Sequence, residues 1–381
     1  MATSIAAAVG FLRERRAHWV DTLARMVSID SGPGDTAGAE AMVGLLTAVW
    51  TELGWPVEIR HAGAPVLLAR RSGPGPRVLL MGHYDTVFAV GTVAARPFAV
   101  ADGRATGPGA SDMKAGLVVQ AAAMSILDDG RCDITVMVNG DEESGSVGSR
   151  PLIEDLARHA DVALVFEPGG PDGAIVTGRP GVRRFRAETI GRPAHTGVEP
   201  EKGRNAIEGM AHLVLSIAEL GRRGDLGSVT VSMIDGGSRP NIVPEGASIV
   251  IDGRVPTPEA GDRLAVELEA IAASVPVDGV TGRLQHLEDR PAFVPSEESL
   301  RIAGTLQQLS AELGLDLDAR PARGSSDGNF SSGLGVPTID GLGPPGSAFH
   351  TDHEWLEVDG IFTRAAMVAS LMTAMGARSQ G

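Results

Sequence analysis

Short runs of aliphatic and β-branched residues recur along the chain, and each is followed by a polar, glycine-containing loop. The clearest run occupies 134–138 and is followed by Gly140. An unbroken apolar run of this length is typical of a strand that is buried on both faces. Similar runs occupy 78–81, 162–166 and 336–339. Because a helical stretch at 114–127 separates two of these runs, the pattern predicts an α/β fold with a mostly parallel sheet and helices on both faces.

The pattern changes between 178 and 291, where apolar and polar residues alternate in short segments. In chain order it predicts a strand at 182–190, a helix at 205–222, strands at 228–234 and 247–254, a helix at 259–274 and a strand at 280–287. This order of elements is ferredoxin-like. A chain of 381 residues is long enough for two domains. We therefore predict a larger domain, 1–178 and 292–381, that carries an inserted α+β domain at 179–291.

The first 27 residues predict one amphipathic helix, whose apolar face would contain Phe11, Trp19, Leu23 and Met26. The arginines of this segment follow its apolar start, whereas a secretory signal begins with basic residues. Cys132 is the only cysteine, so the sequence has neither an internal disulfide nor a thiolate metal site. Together these features predict a cytoplasmic protein.

The charge balance excludes one large class of partners. The chain has 48 acidic and 33 basic residues, which gives a net charge of −15. A nucleic-acid-binding surface needs a basic stripe, so we expect no nucleic-acid partner. We also expect no membrane partner, because no stretch approaches 18 uncharged apolar residues.

Side chains that can bind metals or transfer protons follow the predicted strands. They are His83 and Asp85 after 78–81, Glu142 and Glu143 after 134–138, Glu167 after 162–166 and His350 in the loop after 336–339. Asp112 begins the helical stretch. In open α/β sheets, ligands bind in the loops beyond the carboxyl ends of the strands. Three consecutive carboxylates at 141–143 repel one another unless a cation lies between them, although an acidic loop can also be plain solvated surface.

Imidazole and carboxylate ligands without thiolates favour zinc, with Co²⁺ or Mn²⁺ as substitutes. Five such ligands exceed the needs of one tetrahedral ion, which favours two metals that share a bridging ligand. Each residue also has a simpler interpretation. Asp112 can be a helix N-cap, His83 can be a hydrogen-bonded structural histidine, and His353 is a local alternative to His350. The remaining histidines are interpreted as structural or surface residues, apart from His195, which is considered below: His18, His61, His159, His212 and His286.

The motifs in their order and spacing resemble the M20 family of co-catalytic zinc peptidases, and within it the glutamate carboxypeptidase branch. The matching motifs are His83-x-Asp85, Gly107-Pro-Gly-x-x-Asp112-x-Lys114, Asp141-Glu142-Glu143-Ser144-Gly145, Phe166-Glu167-Pro168 and His350. The family often joins the bridging aspartate to the next residue by a cis peptide bond. In this chain the next residue is Met113, where the family often has Asp or Asn.

The resemblance implies two Zn²⁺ ions per subunit and a role for each motif residue. Asp112 would bridge the ions; His83 and Glu167 would complete one site, and Glu143 and His350 the other. Glu142 would be the general base, and Asp85 would orient His83. A hydroxide that bridges the metals would attack the scissile carbonyl.

The resemblance also assigns functions to the inserted domain, which in the family is a lid and dimerisation domain. It would contribute His195 to the developing oxyanion, and Asn241 and Arg254 to a terminal carboxylate of the substrate. In dimeric relatives the matching histidine serves the partner's site, so a homodimer is expected. Further substrate contacts are implied for three residues of the larger domain: Ser326, Asp327 and Gly343.

Three hypotheses about function follow. The first is a metallocarboxypeptidase that removes a C-terminal, glutamate-like residue from a peptide or an N-acyl amino acid. The second is a deacylase of acetylated, succinylated or aromatic acyl amino acids on the same scaffold. The third is a non-catalytic dimeric binding protein, which the complete set of ligands and Glu142 disfavours.

Overall fold

The computed structural model of the chain describes residues 4–127 and 132–378, which form two compact units. The first unit contains the described residues of Met1–Gly178, Pro295–Ala322 and Ser326–Gly381. The second contains Arg179–Val294 and the short segment Arg323–Ser325. The inserted segment is therefore a unit with its own core.

The α-helices are named in chain order. They are α1 (Ile5–Glu14), α2 (Arg16–Val27), α3 (Thr36–Glu52), α4 (Thr92–Ala95), α5 (Ala115–Ile126), α6 (Arg150–Arg158), α7 (Ala206–Arg223), α8 (Pro258–Ala273), α9 (Glu297–Glu312), α10 (Gly328–Gly333) and α11 (Val358–Arg378).

The strands are named in the same way. They are β1 (Val57–Ala62), β2 (Ala64–Arg71), β3 (Arg77–His83), β4 (Ala99–Ala101), β5 (Arg104–Thr106), β6 (Asp133–Asn139), β7 (Val162–Val165), β8 (Ile175–Gly178), β9 (Gly181–Ile190), β10 (Ser228–Gly236), β11 (Gly246–Val255), β12 (Thr281–Arg290), β13 (Ala319–Pro321), β14 (Thr338–Ile339), β15 (Gly346–Ser347) and β16 (Trp355–Glu357).

The central sheet of the first unit has the strand order β1-β2-β6-β3-β7-β14. The four strands from β6 to β14 are parallel, and the hairpin β1–β2 adds an antiparallel edge. The apolar runs lie in the parallel strands, whose side chains are buried on both faces. The predicted α/β class with a mostly parallel sheet is confirmed.

Helices α5 and α11 pack against each other in the core of the first unit. Both are rich in buried Ala, Val, Leu and Met. By length and composition alone α11 could cross a membrane, but 61% of the 18-residue apolar window within it is buried inside the structure. Its apolar character is that of a core helix.

The amino-terminal segment differs from the prediction of one continuous helix. It forms α1 and α2, which are separated at Arg15. Trp19, Leu23 and Met26 are buried as predicted, but Phe11 is 42% exposed and lies beneath the Arg15 guanidinium, 3.5 Å from the ring centre. The backbone of Arg15 is not helical, and Phe11 does not share the buried apolar face of α2.

The second unit is a four-stranded antiparallel sheet in the order β10-β11-β9-β12, with α7 and α8 on one face. Asn205 caps α7 and Thr257 caps α8, each by accepting backbone hydrogen bonds. Residues of β11 alternate between buried and half-buried, because one face packs on the helices. The predicted ferredoxin-like order is therefore confirmed.

A small sheet in the first unit positions two functional loops. Its order is β15-β16-β5-β4, and Trp355 in β16 pairs with Thr106 in β5. The chain leaves β5 directly into the loop that contains Asp112, and it enters β16 from the loop that contains His350. The pairing therefore brings these two distant segments side by side.

Candidate metal centre

His83 is the last residue of β3 and is buried. Its Nδ1 lies 3.2 Å from the Asp85 Oδ1 and 3.1 Å from the Asp85 carbonyl oxygen. An Nδ1–H that donates to Asp85 leaves the lone pair on Nε2. Nε2 lies 3.5 Å from Asp112 Oδ1 and 3.5 Å from Glu167 Oε1. His83, Asp112 and Glu167 thus form one group of donor atoms.

A second group forms on the other oxygen of Asp112. The His350 Nε2 lies 3.3 Å from Asp112 Oδ2 and 3.1 Å from Glu143 Oε1. His350, rather than His353, is the histidine that meets these carboxylates. Asp112 therefore faces His83 through one oxygen and His350 through the other, which is the arrangement of a bridging ligand.

The spacing of the donors fits tetrahedral metal coordination. Ligand atoms at about 2.1 Å from a tetrahedral zinc lie about 3.4 Å apart. The contacts within both groups, at 3.1 to 3.5 Å, are close to this value. In addition, donor atoms of His83, Asp112 and Glu143 lie within 4.8 Å of one another. The residues present therefore fit divalent ions with nitrogen and oxygen ligands.

The electrostatics of the centre also favour a cation. Burial opposes protonation of His83, but Asp112, Asp85 and Glu167 hold its pKa well above the ordinary value. Hydrogen bonds to Asp112 and Glu143 raise the pKa of His350 to about 10. Burial, followed by the charge of Asp112, raises the pKa of Glu167 to about 7. The imidazoles of His83 and His350 and the carboxyl of Glu167 thus bind protons more tightly than usual, and metal binding would release such protons.

Asp112 lies in an irregular turn before α5, and its peptide bond to Met113 is cis. It is not the N-cap of α5: the cap position is Lys114, for which the structure gives no side-chain cap hydrogen bond. Burial opposes ionisation of Asp112, but His350 and His83 outweigh this effect and hold its pKa well below the ordinary value. The helix-cap interpretation of Asp112 is therefore excluded.

Asp85 also fixes the loop that carries the two adjacent glutamates. Its Oδ1 accepts a hydrogen bond from the Glu142 backbone N–H at 3.2 Å, and its Oδ2 accepts one from the Glu143 N–H at 2.9 Å. One carboxylate therefore orients a donor imidazole and the backbone of both glutamates.

Several polar residues that sequence reasoning did not identify support this loop. Asp141 accepts hydrogen bonds from the backbone N–H groups of Gly148 and Ser149, at 2.9 and 3.1 Å. The Asn139 side chain donates to Asp327 Oδ2 at 2.8 Å. Asn139 and Asp327 are 188 residues apart in the sequence, so no local motif indicates their contact.

Two of the predicted substrate-contacting residues are buried in this network. The Ser326 hydroxyl donates to Asp340 at 2.6 Å, and Asp327 accepts hydrogen bonds from Asn139 and from the Ser146 hydroxyl. Gly343 donates its N–H to the Glu167 carbonyl oxygen at 2.8 Å, and a Cβ at this position would meet the same oxygen at 2.8 Å. In the structure Ser326 and Asp327 thus contact other side chains, and Gly343 contacts the backbone of Glu167.

Glu354 is a further residue without a sequence prediction. It is buried and accepts hydrogen bonds from three backbone N–H groups of the loop that carries Asp112. Burial raises the pKa of Glu354 to about 7. The charge of Asp112 adds to this effect, and the three backbone hydrogen bonds oppose it. In the sequence, Glu354 lies four residues after the predicted ligand His350. This spacing alone does not indicate a function for Glu354.

The predicted residues of the second unit lie at two places on its sheet. His195 and Asn241 are neighbours: His195 forms a bridge with Ile242, and the Asn241 carbonyl oxygen accepts the Thr196 N–H at 3.1 Å. Both side chains are exposed. Arg254 lies near the end of β11, where its Nε donates to Asp252 Oδ1 at 2.7 Å.

The fold and the paired donor groups define a class of protein, a two-unit α/β protein with a metal-binding centre at the carboxyl ends of parallel strands. The sequence model of peptidase family M20/M25/M40 matches residues 79–374. The chain belongs to this metal-dependent family and is a hydrolase of the peptidase or amide-hydrolase kind.

Two relatives illustrate the range of similarity. Carboxypeptidase G2 from Pseudomonas sp. (strain RS-16) is 32% identical over 371 residues, which cover 94% of this chain and 89% of that protein. A succinyl-diaminopimelate desuccinylase from Methylobacterium radiotolerans is 28% identical over 348 residues, with 86% of each chain covered.

Solved structures share the fold over most of their length. The aminopeptidase PepT from Bacillus cereus has a TM-score of 0.79 at 23% identity and covers 94% of this chain and 98% of its own. An M20 family metallo-carboxypeptidase from Sulfolobus solfataricus has a TM-score of 0.75 at 16% identity, with 94% and 99% covered. The predicted family and fold class are therefore confirmed.

Proposed function

We propose that the protein is a metallocarboxypeptidase that removes a C-terminal, glutamate-like amino acid from a small peptide or an N-acyl amino acid. The observation that carries this proposal is the pair of donor groups that share Asp112. The similarity to carboxypeptidase G2 supports the choice of reaction. The proposed location is the cytoplasm, which is consistent with a single, buried cysteine.

The proposed cofactor is two Zn²⁺ ions per subunit, with Co²⁺ or Mn²⁺ as substitutes. Asp112 would bridge the ions, with His83 and Glu167 on one side and Glu143 and His350 on the other. When bound, the ions supply Lewis-acid polarisation of the scissile carbonyl and lower the pKa of the attacking water.

Glu142 is the proposed general base. Its neighbour Glu143 contacts His350, and the motif Asp141-Glu142-Glu143 of the resemblance gives Glu142 the role of base. Asp85 holds the backbone N–H of Glu142, which orients its carboxylate relative to the donor residues. Glu142 accepts a proton from the attacking water and returns it to the leaving amine.

Arg254 is the proposed anchor for the terminal carboxylate of the substrate. A guanidinium can bind a carboxylate through two parallel hydrogen bonds. In the structure Asp252 accepts from Nε at 2.7 Å and from Nη2 at 3.3 Å. A substrate carboxylate would therefore share or replace this ion pair.

We further propose a homodimer in which His195 and Asn241 act in the partner's site. His195 lies just beyond the end of β9 at which Ile190 pairs with Gly246, whereas Arg254 pairs with Val182 at the other end. Arg254 lies eight positions after Gly246, which corresponds to about 26 Å along β11. One amino acid spans only about 3.5 Å of extended chain, so it cannot reach both ends of this sheet in one subunit.

The edge strand β10 is the proposed surface for the second copy. It lies at the end of the sheet order, and its Met233 and Ile234 are 66% and 67% exposed. Leu215 of the adjacent α7 is 66% exposed as well. An edge strand with exposed apolar side chains favours pairing with another strand.

The second candidate is a deacylase of N-acyl amino acids. It is favoured by the similarity to succinyl-diaminopimelate desuccinylases. Both candidates hydrolyse an amide bond, so the same donor groups and the same base serve either reaction. They differ in the acyl group that the substrate presents.

Hydrolysis of a matched substrate panel tests the proposal. The panel contains dipeptides with C-terminal Glu, and glutamates with acetyl, succinyl and aromatic acyl groups, each with a free or an amidated α-carboxylate. Amidation should lower kcat/KM of the wild type by about 10- to 100-fold, the value of a lost hydrogen bond between charged groups. In Arg254→Ala, KM for the free acids should rise and amidation should have little further effect.

The pattern of cleavage decides between the candidates. Cleavage of the dipeptides supports the carboxypeptidase, whereas cleavage of acyl amino acids alone supports the deacylase. Equal cleavage of free and amidated substrates by the wild type would contradict both forms of the carboxylate-anchored reaction.

A further inference from the structure

Glu354 is a buried carboxylate that contacts the backbone of the loop that carries Asp112. Its Oε1 accepts hydrogen bonds from the Ser111 N–H at 2.8 Å and the Asp112 N–H at 2.9 Å. Its Oε2 accepts one from the Gly109 N–H at 3.0 Å. Burial of a carboxylate is costly unless its oxygens are hydrogen-bonded. Three converging N–H groups make this position specific for an acceptor.

The position of Glu354 in the chain connects it with the other side of the centre. It follows His350 by four residues and directly precedes β16. The pairing of β16 with β5 brings the two segments together, and Glu354 adds contacts just beyond the end of β5. One side chain thereby links the segment that carries Asp112 to the segment that carries His350.

The consequence concerns the distance between the two donor residues. Asp112 Oδ2 lies 3.3 Å from His350 Nε2, and both oxygens of Asp112 face imidazoles. Rotation of the 109–112 backbone would move both oxygens, because the carboxylate is attached to the residue whose N–H Glu354 holds. Outer contacts of this kind orient metal ligands.

We propose that Glu354 is a positioning residue of the metal centre, which holds Asp112 in the orientation that serves both donor groups. This inference rests on the metal assignment proposed above. In this role Glu354 contacts neither metal nor substrate. It acts through the backbone of the 109–112 loop.

The test compares zinc affinity with the stability of the metal-free protein. Glu354→Gln keeps one oxygen for Ser111 and Asp112 but presents an NH₂ group to the Gly109 N–H. Glu354→Ala removes all three contacts. Asp30→Asn is the matched control, because Asp30 also accepts two backbone N–H groups, those of Gly91 and Val93, in a loop that carries none of the proposed ligands.

Affinity is measured by competition between the protein and a zinc chelator, and stability by thermal unfolding of the metal-free protein. Zinc affinity should fall about 10- to 100-fold in Glu354→Gln, and further in Glu354→Ala. Asp30→Asn should lower the melting temperature but keep the wild-type zinc affinity.

Two results would overturn the inference, and they are distinguishable. If wild-type protein binds zinc and Glu354→Gln binds it equally well, the role of Glu354 is wrong while the metal assignment stands. If the wild type binds no zinc, the metal assignment fails and the role of Glu354 fails with it.

Discussion

At the scale of single residues, the centre depends on a division of roles between adjacent carboxylates. Glu143 contacts His350, and Glu142 directly precedes Glu143 in the chain. Asp85 holds the backbone N–H groups of both and also contacts His83. The loop is therefore fixed as a unit, so that replacement of one glutamate should leave the other in place.

The two glutamates should fail in different ways. Glu143→Ala should lower bound metal and activity together, because a ligand is lost. Glu142→Ala should retain the metal content of the wild type while kcat falls by about 10²- to 10⁴-fold, since only proton transfer is removed. Metal analysis and single-substrate kinetics of the purified variants measure both quantities.

Glu312→Ala, on the exposed end of α9, is the control for this comparison and should match the wild type in both. Full activity of Glu142→Ala would contradict the assignment of the base. Loss of metal from Glu142→Ala but not from Glu143→Ala would reverse the two roles.

The sequence identifies functional residues that directly follow strands better than residues whose contacts are distant in the sequence. His83, Glu143 and Glu167 follow apolar runs, and the ends of parallel strands meet at one edge of a sheet. Spacing could not choose between His350 and His353, because both lie in one loop. Glu354 acts on backbone groups more than 240 residues away, and no local pattern encodes such a contact.

At the scale of elements, β9 and β11 set the distance between proposed substrate contacts. His195 follows one end of β9, and Arg254 pairs with Val182 at the other. The register between the two strands is uninterrupted, and their length corresponds to about 26 Å between these ends. This separation is the physical reason to expect that His195 serves a second subunit.

Subunit mixing tests this expectation. Glu142→Ala and His195→Ala should each be nearly inactive alone. In a mixed dimer, the chain with intact Glu142 receives His195 from its partner, so one complete site forms. After random exchange of equal amounts, about a quarter of the wild-type activity should return, because half of the dimers are mixed and each has one complete site.

Exchange is verified with differently tagged chains before activity is measured. If the chains exchange and activity stays at the level of the single variants, His195 acts within its own subunit. Activity is expected to recover only if His195 acts in the partner's site. If His195 acts in its own subunit, each site of the mixed dimer lacks either Glu142 or His195.

The sequence also predicts the longer elements more reliably than the short ones. The strands of the second unit appear where apolar and polar residues alternate. The run at 336–339 contains Pro337 and forms only the two-residue β14, because proline has no N–H to donate to a ladder. The strands β4, β5, β15 and β16 are two or three residues long, too short for a periodic signal, although they align Asp112 and His350.

At the scale of the whole molecule, the two units carry different parts of the proposed reaction. The five proposed metal ligands and Glu142 belong to the first unit, while His195, Asn241 and Arg254 belong to the second. Family membership defines the protein as a hydrolase. We propose that the donor groups around Asp112 hold two ions in each chain.

Diffraction from zinc-loaded crystals, with data on both sides of the zinc absorption edge, shows where each ion binds. We predict two anomalous peaks per chain. One peak should lie among His83, Asp112 and Glu167, and the other among Asp112, Glu143 and His350. A single peak, or zinc bound only at other side chains, would contradict the two-metal centre.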